Sequence, residues 1–269
     1  MGSDLGHVVL VGAGNMGGAM LRRWPADARI TVIDPNPTDE IATHMRERDR
    51  DHRPTVDGVP RADLLIVAIK PQLMAAVLPT LRPLVSDETT VVSIAAGTTA
   101  DTFARALGTD RVVRTIPNTP AMVGAGVTGA FASPTVSQAA RARVDTLLGY
   151  SGPVVWVDSE GDIDRVTAIS GSGPAYVFHL VEALAASARD LGLAADQADT
   201  LARQTVIGVG HLLEASAESA ETLRRRVTSP GGTTAAALEV LMAEDGMGDL
   251  MGRATRAAFA RARELGDGE

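Results

Sequence analysis

The 269-residue sequence contains no cysteine. Disulfides, thiolate nucleophiles and cysteine-ligated zinc or iron–sulfur sites are therefore excluded. Aromatic residues make up only 3%, so the core has to be built from Ala, Val, Leu, Ile and Met. Nowhere do ~18 uncharged apolar residues run together, and the N-terminal segment Met1–His7 carries Asp4 without the basic and apolar regions of a signal peptide. The expectation is a soluble cytoplasmic protein. An excess of positive charge is also missing: the net charge of −8 argues against nucleic acids and acidic membranes as partners. Lysine is nearly absent, since Lys70 is the one lysine among 25 basic residues. Either its position is accidental or it stands where arginine cannot substitute.

What is present is the balance of a globular protein, with 45% hydrophobic and 22% charged residues. The first half alternates apolar runs with helical patterns. His7–Val11, Arg29–Asp34, Leu64–Ile69, Thr90–Ala95 and Arg111–Ile116 read as strands buried on both faces. Asn15–Trp24, Thr38–Arg48, Pro71–Leu81 and Thr99–Leu107 read as the crossover helices between them. This predicts an α/β fold with a doubly wound parallel sheet, extended by strands at Val127–Phe131 and Val154–Val157 around a helix at Thr135–Leu148. The charged stretch His44–Pro60 reads as a solvated helix end and loop. After about Asp158 only helical patterns remain: Pro174–Leu191, Ala195–Ser216, Glu218–Arg226, Thr233–Ala243 and Met247–Leu265. The boundary is expected near residue 160, giving a dinucleotide-binding domain over 1–160 and a helical domain over 161–269.

Gly12, Gly14 and Gly17 form G-A-G-N-M-G between the first strand and the first helix. In a Rossmann turn the first glycine permits the tight bend, the second lets a pyrophosphate approach the backbone, and the third lets the helix pack on the strand. The helix N-terminus, opening at Asn15 and Met16, adds free N–H groups and the positive end of the helix dipole. Asp34 ends the second strand, where an acid accepts hydrogen bonds from the adenosine ribose and repels a 2′-phosphate. In Asp34-Pro35-Asn36-Pro37 it is equally a turn residue, and Arg46, Arg48, Arg50 and Arg53 offer charge that could hold a 2′-phosphate. The expected cofactor is therefore NADPH or NADH. Lys70, followed by Pro71, ends the third long strand at the ligand edge, where a compact ammonium can reach ribose or nicotinamide oxygens.

Three further motifs lie outside the glycine turn. Thr115–Pro120 (T-I-P-N-T-P) offers Asn118 and Thr119 in a proline-stiffened loop at the same edge. Ser170–Pro174 (S-G-S-G-P) reads as a polar, flexible turn opening a helix. Ser229–Thr234 (S-P-G-G-T-T) opens another helix with an amide-rich loop suited to a carboxylate. Each has an ordinary capping explanation when taken alone. No metal site is expected, since His44 and His52 lack ligand spacing. His179 and His211, within apolar helices, read as core residues.

Together with A-I-K-P-Q (Ala68–Gln72) and S-I-A-A-G-T-T (Ser93–Thr99), these motifs resemble the pyrroline-5-carboxylate reductase family along essentially the whole chain. The resemblance implies an N-terminal Rossmann domain and a C-terminal all-helical dimerisation domain. It implies hydride transfer from NAD(P)H to a cyclic imino acid, 1-pyrroline-5-carboxylate, giving L-proline. Cofactor contacts would come from Gly12, Gly14, Asn15, Met16, Gly17, Asp34, Lys70, Pro71, Ala95, Asn118 and Thr119. Ser229, Gly231, Gly232 and Thr233 would hold the substrate carboxylate, with Thr234 placing its hydroxyl at the ring nitrogen. Glu182, eight residues after Pro174, would orient the pocket or stabilise the iminium; its plainer reading is a polar helix position. A homodimer is implied, with larger assemblies such as decamers.

The chain departs from the family pattern at three places. Ser219-Ala220 replaces a His-Pro pair, Asp34 is an acid where many relatives have none, and no Asn lies between Thr38 and Asp63. Two other readings compete. A hydroxyacid dehydrogenase shares the two-domain plan but generally needs a catalytic Lys or His in the helical half, which holds no Lys. A nucleotide sensor would need no carboxylate loop.

Overall fold

The structure, a computed structural model, describes residues 5–267. Residues 1–4, part of the N-terminal segment read above for targeting signals, and 268–269 lie outside the described residues. The chain divides into two compact units, one of residues 1–172 with 258–269 and one of residues 173–257.

The first unit is built on one eight-stranded sheet: β1 (Val8–Val11), β2 (Ile30–Ile33), β3 (Asp51–Arg53), β4 (Leu64–Val67), β5 (Thr90–Ser93), β6 (Val112–Pro117), β7 (Thr128–Ala132) and β8 (Val154–Trp156). Their spatial order is β3-β2-β1-β4-β5-β6-β7-β8. All pairs are parallel except β6–β7, which is antiparallel. Period-two alternation sends neighbouring residues of β1 to opposite faces. Val8 and Leu10 join an apolar cluster with Met20, Leu21, Ile41, Met45 and Leu147, whereas Val9 and Val11 join Met74, Leu78, Leu81, Phe103 and Leu107. The first cluster is covered by α1 (Asn15–Arg23), α2 (Asp39–Glu47) and α5 (Gln138–Gly149). The second is covered by α3 (Met74–Val77), its flanking 3-10 turns, and α4 (Ala100–Leu107). Helices on both faces explain why the central strands read as unbroken apolar runs.

Local chemistry fixes where these helices begin. Hydroxyls of Thr38, Thr99 and Ser137 accept the backbone N–H groups of Ile41, Thr102 and Ala140 at 3.4, 3.3 and 3.2 Å. Each satisfies one of the donors that a helix start leaves unpaired. The helix expected at Pro71–Leu81 is instead a 3-10 turn at Pro71–Leu73, α3, and a second 3-10 stretch at Leu78–Leu84 containing Pro83. Prolines deny the regular helix its internal N–H donors.

Two other expectations are corrected. The segment 44–60 is not only helix end and loop, because Asp51–Arg53 pairs with Thr31–Ile33 as an edge strand. All three residues are exposed and polar, so no apolar pattern announces them. The S-G-S-G-P segment is not a flexible turn: α6 (Asp162–Val166) continues into one π-helical turn at Thr167–Gly171, and Gly173 then opens α7 (Gly173–Asp190). Such π turns recur at functional sites.

The second unit holds α7, α8 (Ala195–Ala215), α9 (Ala220–Arg226), α10 (Thr233–Leu241) and the first half of α11 (Met247–Asp267). Among its residues only Ala185, Ala198 and Ala202 are buried in the single chain, while Phe178, Leu184, Leu212 and Leu241 are exposed. His179 and His211 are likewise exposed rather than core residues, because α7 and α8 have no apolar layer over those faces in one chain. Among the described residues, no helix is long and apolar enough to cross a membrane.

Candidate nucleotide and imine sites

The turn after β1 assigns a different task to each glycine. Gly12 has φ +88°, and a Cβ there would stand 2.7 Å from the Ala68 carbonyl oxygen. At Gly17 a Cβ would overlap the Gly12 carbonyl oxygen and stand 3.0 Å from the Ala68 Cβ, so only glycine lets α1 sit this close. Gly14 is the opposite case, with no heavy atom within 4 Å of a Cβ position. The space above Gly14 is open towards solvent, where the backbone can receive a pyrophosphate. Gly14 also caps α1 without a side-chain hydrogen bond, and no acid lies in the first turn, which starts at Asn15 and Met16. Free N–H groups and an undisturbed dipole suit a dianion.

Asp34, half-buried at the end of β2, is tied into this turn. Its Oδ2 accepts the Ala13 N–H at 2.7 Å and its Oδ1 accepts the Asn36 N–H at 2.9 Å. Each carboxylate oxygen retains further acceptor capacity. Asp34 is thus a turn residue, and that bonding leaves it able to accept from a ribose hydroxyl as well. His52 Nε2 sits 2.8 Å from the Asp34 carbonyl oxygen.

Of the four arginines expected to offer charge here, Arg50 is withdrawn into the fold, whereas Arg46, Arg48 and Arg53 are exposed. Arg50 is buried, donating to the carbonyl oxygens of Ala28 and Pro25 at 2.5 Å each and of Trp24 at 3.5 Å. Arg53 pairs with Asp51 at 2.8 Å, and Arg46 donates to the Thr43 hydroxyl at 3.0 Å. Burial of Arg50 was invisible in a stretch where residues 46–51 are all charged.

Lys70 follows β4 at the carboxyl edge, exposed, with Pro71 starting the next turn. Ala95 is buried just beyond β5, its N–H donating to the Ser93 hydroxyl at 3.2 Å. Asn118 is buried beyond β6, and its Oδ1 accepts the Val127 N–H at 2.9 Å, which closes the loop carrying exposed Thr119. Gly12, Gly14, Asp34, Lys70, Ala95 and Asn118 therefore all stand at the carboxyl ends of parallel strands, the edge where doubly wound sheets take ligands.

In the second unit, Ser229–Gly232 forms a loop closed by the Gly232 N–H on the Ser229 carbonyl oxygen at 3.0 Å, with Gly231 at φ +69°. Gly232 caps α10 without a side-chain acceptor, so the N–H groups at Thr233 and Thr234 face no cap. Glu182 lies on α7 with its Oε2 3.1 Å from His179 Nδ1, both side chains exposed. One residue of the site region was not singled out in the sequence: Glu218, before α9, is ion-paired with Arg226 just upstream of the loop. The order Glu218…Arg226 carries no spacing that marks such a pair.

A parallel doubly wound sheet, an open glycine turn and an acid ending β2 define a dinucleotide-binding oxidoreductase with a helical second unit. A family model described as pyrroline-5-carboxylate reductase dimerisation matches residues 160–265, and one described as NADP oxidoreductase, coenzyme F420-dependent, matches residues 7–97. The chain is 38% identical to a pyrroline-5-carboxylate reductase of Pseudomonas aeruginosa over 97% of both chains. A pyrroline-5-carboxylate reductase structure from Coxiella burnetii superposes with a TM-score of 0.88 at 33% identity, covering 96% of this chain and 98% of that one. The Plasmodium falciparum pyrroline carboxylate reductase, solved with NADP bound, gives a TM-score of 0.79 at 25% identity over 97% and 98% of the two chains. The chain belongs to the pyrroline-5-carboxylate reductase family, and its dimerisation region indicates a homodimer.

Proposed function

We propose that this reductase converts 1-pyrroline-5-carboxylate into L-proline in the cytoplasm, with residues 1–160 binding the dinucleotide and residues 161–269 serving dimerisation and substrate binding. Reduced nicotinamide dinucleotide, when bound, supplies the hydride that the C=N carbon accepts. The observation that carries this reading is the pairing, within one chain, of an open Gly14 turn with the uncapped Ser229–Thr234 loop.

Each residue then has a task in binding, orientation or proton placement. Gly12, Gly14 and Gly17, with the α1 N–H groups at Asn15 and Met16, hold the pyrophosphate. Asp34 accepts from the adenosine ribose and disfavours a 2′-phosphate, which draws the preference towards NADH. NADPH remains the cofactor suggested by the NADP-bound Plasmodium relative. Lys70 and Pro71, with Ala95, Asn118 and Thr119, position the nicotinamide half. Ser229, Gly231, Gly232 and Thr233 hold the substrate carboxylate, and the Thr234 hydroxyl holds the proton at the ring nitrogen. Glu182 orients the pocket. Holding the two reacting carbons in line accounts for most of the work that the protein does. The family resemblance extends to decamers, which light scattering of the purified protein tests.

The deciding assay follows oxidation of NADH and of NADPH at 340 nm with pyrroline-5-carboxylate. Turnover with at least one cofactor is expected, and none with either overturns the reading. Thr234→Ala is expected to lower kcat by about 10²-fold, as for loss of a group that assists proton transfer, while cofactor affinity stays unchanged. An unaltered kcat removes Thr234 from the mechanism.

A further inference from the structure

Glu160 opens the stretch matched by the dimerisation family model, yet its carboxylate serves the nucleotide-binding sheet. One oxygen, Oε1, accepts both the Ala100 N–H at 2.7 Å and an Arg114 Nη1–H at 2.8 Å. Ala100 is the first residue of α4, so its N–H is one of the four donors that a helix cannot satisfy internally. Arg114 projects from β6 with its side chain only 6% exposed, and its Nε has no hydrogen-bond partner. Glu160 therefore caps a helix and neutralises a buried guanidinium with the same oxygen.

Between β5 and α4 runs the loop 94–99, which carries Ala95. Its start is fixed by the Ala95 N–H on the Ser93 hydroxyl, and Thr115 Oγ1 donates to the Ser93 carbonyl oxygen at 2.9 Å. Midway, Gly97 has φ +73°, and a Cβ there would stand 3.0 Å from the Leu265 carbonyl oxygen. Its end is fixed by the Thr99 cap and by Glu160. Thr99, Arg114, Glu160, Asp164 and Arg263 line a cavity of about 170 Å³ here, so truncating Glu160 opens the Ala100 N–H to water.

We propose that Glu160 is a positioning residue for cofactor binding, acting through Arg114 and the first turn of α4 to set the height of the loop that carries Ala95. In a doubly wound sheet the strands β4 to β6 form the half that receives the second mononucleotide, here the nicotinamide side. The inference rests on the cofactor reading above. A loop displaced there moves a binding surface, not the fold.

The test compares wild type with Glu160→Ala and Glu160→Gln. Kd for NADH and NADPH is read from nucleotide fluorescence, and KM for cofactor and for pyrroline-5-carboxylate from steady-state rates. Glu160→Ala is expected to raise cofactor Kd and KM about tenfold, the effect of losing one charge-assisted hydrogen bond, with the imine KM within about twofold. Glu160→Gln keeps one carbonyl acceptor but not the charge, and is expected to raise cofactor Kd by only about threefold. If the alanine variant does not fold, the glutamine variant decides. Unchanged cofactor Kd in either folded variant overturns the proposal, as does a loss of binding that reflects only a smaller folded fraction. Wild type that binds a dinucleotide without turning over the imine defeats the substrate reading alone, and the Kd comparison still decides Glu160. Binding of neither dinucleotide overturns both.

Discussion

Gly14→Ala and Gly17→Ala make the same chemical change three residues apart, and the geometry separates their effects. At Gly14 the new methyl meets no protein atom within 4 Å, and φ is −67°, a value that alanine adopts freely. The only intramolecular loss is the poorer helix cap, under about 1 kcal/mol. A bound phosphate oxygen needs the backbone at hydrogen-bond distance, ~2.7–3.2 Å, whereas a methyl carbon holds its neighbours at ~3.5–4 Å. The pyrophosphate must then withdraw by about 1 Å and weaken its bonds to the α1 N–H groups. With charge-assisted bonds worth ~1.5–3 kcal/mol each, cofactor affinity should fall about 10- to 100-fold. At Gly17 the methyl overlaps the Gly12 carbonyl oxygen, so α1 must move off the turn. That overpacking destabilises by ~1–3 kcal/mol, or roughly 2–4 °C in Tm for each kcal/mol. Thermal unfolding followed at 222 nm, together with cofactor titration, reads both quantities. Wild-type cofactor affinity in Gly14→Ala, or a larger fall in Tm for Gly14→Ala than for Gly17→Ala, would refute the reasoning.

Three more outcomes are expected. Asp34→Asn keeps a side-chain oxygen for the turn but removes the charge, so the ratio of kcat/KM for NADPH over NADH should rise about tenfold; an unaltered ratio counts against the ribose role. Lys70→Arg retains the charge but not the compact ammonium, so cofactor KM should rise severalfold, and unchanged kinetics would make the position accidental. Burial, followed by the nearby Arg48, Arg50 and Arg22 guanidinium groups, holds the His44 imidazole pKa below its ordinary 6.5, with Glu47 opposing. The unfolded chain therefore binds the proton more readily, and the stabilisation is complete above pH 6.5 and lost as pH falls through the lower folded value. His44→Gln should flatten Tm between pH 7.5 and 5.5, and an identical slope would remove His44 as the cause.

The sheet's central strands were legible because Val8–Val11 and Leu64–Val67 are buried on both faces, which leaves nothing polar to obscure them. The glycine turn was legible because Gly12 and Gly17 answer close contacts, and Gly14 an opening, that their places in the turn already imply. Asp51–Arg53 was not, since an edge strand with every side chain in water has no hydrophobic signature. The π turn at Thr167–Gly171 was hidden for a different reason. Ser-Gly-Ser-Gly-Pro reads as a break by propensity, and the helix on either side overrides it. Arg50 illustrates the limit of reading charge as exposure: three carbonyl oxygens accept from its Nη groups inside the unit, and none lies near it in sequence. His179 and His211 could not be judged from apolar neighbours alone, because those neighbours are themselves uncovered in one chain.

The helical unit buries only three alanines of its own, while most of its leucines and Phe178 face outward. It is half of a core. Its stability is then second order in protein: each chain supplies the solvent-excluding surface that the other lacks, and the folded fraction depends on how many copies are present. Dilution acts on this half of the molecule as a denaturant, whereas the sheet unit, with clusters closed on both faces, does not feel it.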